Sequence, residues 1–119
     1  MAQFMLLLHE NPASFADVTP EQMEQVIGEY VAWRVALEKQ GRFAGGEKLR
    51  DEGGRHLTGS GADFKVVDGP FAEAAEVIGG YFTVEAKDYD DAVLIAKSCP
   101  HLKYGGRIEL RQVEPTGAE

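Results

Sequence analysis

The order strand, helix, strand runs twice through this chain, and that repetition constrains the fold more than any other feature. In the first copy, residues 3–9 (Gln-Phe-Met-Leu-Leu-Leu-His) read as a buried strand, ended by Glu10-Asn11-Pro12. A loop to Val18 follows. Thr19-Pro20-Glu21-Gln22 then fits a capping box, in which Thr19 accepts from the Gln22 amide and Gln22 reaches back to the cap. Pro20 suits the first helical position, where its missing N–H costs nothing. Met23, Val26, Ile27, Tyr30, Trp33 and Leu37 recur at a helical period and predict one buried face. Lys39 in the last turn and Gly41 beyond it predict the stop. Phe43 to Leu49 predicts the second strand, with a bulge or close approach at Gly45-Gly46.

The second copy begins at Gly80. Phe82, Val84 and Ala86 alternate with Tyr81, Thr83 and Glu85, the period of a sheet strand. Asp88 caps a second helix, and Asp90 and Asp91 favour its first turn. Ala92, Ile95, Ala96 and Cys99 form its buried stripe, which Pro100 stops. Arg107 to Val113 alternates again, and a frayed tail is expected from Glu114. Between the copies, Arg55–Thr58 and Phe64–Asp68 predict a hairpin around Gly59-Ser60-Gly61. Asp68-Gly69-Pro70 is a turn signal, and Phe71 to Val77 predicts a short helix.

Two such units in a chain of 119 residues point to a single α+β domain: a ferredoxin-like βαββαβ sandwich with an inserted β-hairpin. Helices would cover one sheet face. The other carries Tyr81, Thr83, Glu85, Arg107, Glu109 and Arg111, and either meets water or meets a second subunit's sheet around a polar cavity. Twenty acidic against twelve basic residues give a formal charge of −8. That sign speaks against nucleic acid and anionic membrane as partners. One cysteine, Cys99, cannot form an internal disulfide, and no apolar run approaches the ~20 residues of a membrane span. A cytoplasmic location is therefore expected.

The string VVDGPFAEAAEVIGGYF, ending at Phe82, resembles the motif of the DGPF branch of the YCII-related family. Met5-Leu6-Leu7, Gly45-Gly46-Glu47-Lys48-Leu49, Cys99-Pro100 and Gly105-Gly106-Arg107-Ile108-Glu109-Leu110-Arg111 extend the resemblance over nearly the whole chain. The resemblance implies a homodimer formed sheet to sheet, the dimeric α+β barrel. It also implies two functions of different kinds. Some YCII members are proposed to be small enzymes with a His/Asp pair, one branch being associated with dehydrohalogenation of aromatic ring-cleavage substrates. DGPF members often occur beside sigma-factor genes, which implies a regulatory module with a sigma factor as partner. The family's proposed catalytic histidine is not carried over onto any histidine of this chain.

Among the residues themselves, His101 is the candidate acid/base, with a favourable contact to the helix C-terminus as its plain alternative. Asp68 is a candidate base or histidine-orienting carboxylate, or else a turn residue holding backbone N–H groups. Glu47, Tyr81, Arg107 and His9 are candidate ligand contacts. Glu47 has the alternative of an edge-strand charge, and Tyr81 and Arg107 that of cross-strand pairing with Glu85 or Glu109. His56 reads as a hairpin residue facing water. Ligand types for a metal exist, but no H-x-H, C-x-x-C or H-E-x-x-H spacing does, so neither metal nor cofactor is expected. The expected activity is binding of a small organic molecule in a polar cavity at the dimer interface, with His101 and Asp68 as an acid-base pair. The alternative is the non-catalytic module.

Overall fold

The computed structural model describes residues 1–15, 17–69 and 76–117. Four strands form the main sheet: β1 (Ala2–Glu10), β2 (Phe43–Lys48), β5 (Val77–Ala86) and β6 (Arg107–Gln112). Their order is β2-β5-β1-β6, and every neighbouring pair is antiparallel. With α1 (Pro20–Lys39) and α2 (Tyr89–Lys97) between strands, this is the α+β order of a ferredoxin-like fold. β3 (Arg55–Thr58) and β4 (Lys65–Asp68) pair as a separate hairpin, with Leu57 opposite Val66. Gly59 and Gly61 supply the positive φ its turn needs.

The capping box at Thr19 forms with both bonds: the Gln22 N–H donates to Thr19 Oγ1 at 3.1 Å, and the Thr19 N–H donates to Gln22 Oε1 at 2.9 Å. Asp88 caps α2 through the Asp91 N–H. Pro100 does more than end α2. It stands at the first position of α3 (Pro100–Lys103), so His101 sits on a helical turn of its own. The expected helix from Phe71 to Val77 is corrected at its end, because Val77 already belongs to β5. Pro70 and residues 71–75 lie outside the described residues. β5 starts earlier than the alternation predicts because the ladder slips. Leu8 pairs with Gly80 and His9 with Ile78, leaving Gly79 as the extra residue of a bulge.

The core lies between the sheet and the helices. Phe4, Leu6 and Leu8 of β1 point into it with Val84 and Ala86, and Ala92, Ile95, Ala96 and Cys99 cover them. Trp33 adds a hydrogen bond, its Nε1 donating to Ser98 Oγ at 2.9 Å. Two expectations change here. The run from Phe4 to Leu8 is not buried on both faces: Met5 and Leu7 turn to the open side, aligned with Thr83 and Tyr81. The apolar face of α1 is buried only at Trp33 and Leu37, whereas Ile27 is 55% exposed. No helix among the described residues is long and apolar enough to cross a membrane.

Burial pushes the Cys99 thiol up to about 11 from 9.0. A raised folded-state value favours the protonated, folded form below pH 9. That advantage disappears as pH rises from 9 to about 11, because the unfolded chain can lose the proton and the folded chain cannot. The expected loss is about 2–3 kcal/mol of unfolding free energy over that interval. Urea unfolding at a series of pH values measures it. Cys99→Ala should flatten that part of the profile, and an equally steep fall in the variant would refute the assignment.

Candidate functional site

Glycine determines where space is left in this molecule. On β5, residues 80, 82, 84 and 86 face the helices, and Gly46 of β2 stands beside Phe82 on that face. A Cβ at Gly46 would lie 2.7 Å from the Phe82 ring and from the Tyr81 carbonyl, and one at Gly80 would lie 2.8 Å from the Glu47 carbonyl. Gly79, in the bulge, leaves room for the Glu10 side chain. The sheet is therefore bare under the N-terminal half of α1. The result is a cavity of about 490 Å³. Leu8, Phe82, Phe43 and the glycines border it from the sheet, and Met23, Val26, Ile27 and Tyr30 from α1. Its walls are mainly apolar, and Phe15, Tyr104, His101 and Glu10 complete them. The unpacked half of the α1 stripe is the roof of this cavity.

His101 is 3% exposed, and both ring nitrogens are engaged. Nε2 lies 2.8 Å from the His9 carbonyl oxygen, which can only accept, so Nε2 carries a proton. In the neutral ring Nδ1 then accepts from the Tyr30 hydroxyl at 3.2 Å. Burial, above all, and after it neighbouring groups that include Glu10, hold the Tyr30 phenol above its ordinary range. Gly106 makes the site possible, because a Cβ there would overlap the imidazole, and its N–H donates to the His101 carbonyl at 3.0 Å. The sequence marks Gly106 only as a strand start. Its close approach to a ring across a turn leaves no local signal.

The other candidates are distributed differently. Asp68 lies on β4 of the hairpin, is strongly exposed and pairs with Arg55. No hydrogen bond or ion pair joins it to His101. On the open sheet face, His9 Nε2 lies 2.9 Å from Glu109 Oε1, and Arg111 donates to the other oxygen at 3.2 Å. These two partners hold the Glu109 carboxyl below its usual range, the His9 hydrogen bond first. Glu47 stands opposite Tyr81 on that face, and as an edge-strand residue it also borders the cavity. Arg107 pairs neither with Glu85 nor with Glu109. Its Nε and Nη2 both donate to Glu76 Oε1, at 3.2 and 3.0 Å. His56 is half-buried on β3, opposite Val67.

This cavity lies on the helix side of the sheet, the side away from the polar face that carries Tyr81, Glu109 and Arg111. It brings together Glu10, Tyr30 and His101, and it borders Glu47. Asp68, Tyr81 and Arg107 are not among its lining residues. Among the described residues, no three His, Cys, Asp or Glu side chains are grouped so that they could hold a metal ion. The family model of the YCII-related domain matches residues 2–116. No curated protein matches the chain.

Proposed function

The chain belongs to the YCII-related domain family, and on that premise we propose that it binds a small organic molecule in the cavity under α1. One observation carries this reading: an apolar space of about 490 Å³ with the Tyr30–His101 pair at its wall. Pockets of roughly 300–1,000 Å³ with apolar walls and few polar groups are the usual form of small-molecule sites. His101 acts there as the group that orients Tyr30, since both its nitrogens are occupied. Acid-base chemistry by a His101–Asp68 pair draws no support from this geometry.

The protein acts as a homodimer in this reading. Met5, Leu7, Tyr81 and Thr83 form a band on the open face, with the charged Glu47, Glu109 and Arg111 alongside. A second sheet laid on that band would cover the apolar side chains and leave the cavity under α1 untouched.

The test uses N-phenyl-1-naphthylamine, a neutral apolar dye that brightens on leaving water. It should bind at micromolar concentration with one site per chain, while the protein sediments at twice the chain mass. Val26→Trp, which fills the cavity from its roof, should weaken dye binding at least tenfold without lowering the melting temperature. No binding, or binding indifferent to Val26→Trp, would overturn the cavity reading. In that event a partner retained through purification would favour the interaction module, with a sigma factor as the partner to test. The exposed Leu57, Phe64 and Val66 of the hairpin are the surface it would use.

A further inference from the structure

The hydrogen-bond polarity of the cavity wall identifies the class of ligand. Nε2–H of His101 is committed to the His9 carbonyl, so in the neutral ring Nδ1 takes the Tyr30 proton. Tyr30 retains only acceptor lone pairs. The Tyr104 hydroxyl is likewise spent, donating to Glu29 Oε2 at 2.7 Å. The Glu10 carboxyl lines the cavity, and its side chain makes no hydrogen bond or ion pair with another described residue. At the exposed rim, Arg34 and Lys48 keep further donors but each stands beside a carboxylate, Arg34 by Glu38 at 3.3 Å and Lys48 by Asp51 at 3.1 Å. Inside that rim, the polar groups left to a ligand, Tyr30 and Glu10, accept and do not donate.

A carboxylate placed beside Glu10 and Tyr30 would meet two acceptors, with unpaired charge in a space walled by Phe43 and Phe82. An ammonium group supplies three donors to the same wall and offsets the Glu10 charge. Aromatic faces add attraction for a cation. We infer that the ligand is an organic amine, protonated at neutral pH, with an apolar body of about two rings' size. Its ammonium group lies between Glu10 and Tyr30, and its body lies against the aromatic wall under α1.

The inference rests on the cavity being a ligand site, and its test separates the two. Dye displacement at pH 7.5 compares 1-naphthylmethylamine, 1-naphthylmethanol and 1-naphthoate, which share one ring system and differ in charge. The amine should displace the dye at a concentration at least tenfold lower than the alcohol, and the carboxylate should be weakest. Glu10→Gln should bring amine and alcohol within twofold of each other, chiefly by weakening the amine. Alcohol or carboxylate binding as tightly as the amine would overturn the cation assignment with the cavity intact. So would an amine preference that survives Glu10→Gln. Loss of dye binding itself would instead remove the cavity reading.

Discussion

Phe4→Ala should lower the unfolding free energy by about 3–5 kcal/mol, the range for deleting a buried phenyl group. Phe4 is 0% exposed, stands on a central strand of the sheet and meets the Tyr89 ring edge-on at 5.0 Å. The strand is hydrogen-bonded on both sides, so the backbone cannot move in to fill the void. A melting temperature lower by roughly 10–20 °C is expected for a domain of this size. Ile27→Ala is the matched control, because that side chain is half in solvent and should cost under about 1 kcal/mol. Urea unfolding of both variants gives the difference. A loss at Phe4 no larger than at Ile27 would mean that the core does not lie where it is described.

His101→Ala should cost about 3–4 kcal/mol, for a different reason. It removes little apolar surface but takes the partner from two part-buried polar groups, the His9 carbonyl and the Tyr30 hydroxyl. Each unsatisfied buried group costs about 1–3 kcal/mol. Asp68→Asn removes one side of an exposed ion pair and should cost under about 1 kcal/mol. The informative quantity is their double-mutant cycle. Independent sites should show a coupling below about 0.5 kcal/mol. A coupling of 1 kcal/mol or more would show that His101 and Asp68 act as a unit, and would restore the pair that their chemistry alone suggests.

The local grammar of this chain was legible residue by residue. Thr19, Pro20 and Gln22 announce a helix start because capping depends on three neighbouring positions. Phe82, Val84 and Ala86 announce a buried face because strand parity is local. What could not be read depended on neighbours distant in sequence. Phe4 to Leu8 is apolar at every position, so parity gives no clue that Met5 and Leu7 face outward. The α1 stripe is equally apolar over cavity and core, and only the glycines of two other strands separate them. His101 and Asp68 looked like partners because both are chemically able. Their partners, Tyr30 and Arg55, are set by tertiary placement.

The sheet order also governs when this molecule can begin to be itself. β1 is made before the other strands of this sheet, yet both its neighbours, β5 and β6, come after residue 76. Until Arg107–Gln112 emerges, the Phe-Met-Leu-Leu-Leu run has no complete site to occupy. The α1 helix can form early on its own cap, but the core must wait until β6 has been made. Such long-range pairing slows folding and leaves apolar strand exposed in the interim. The vulnerability of a nascent chain of this topology is therefore a matter of timing more than of final stability.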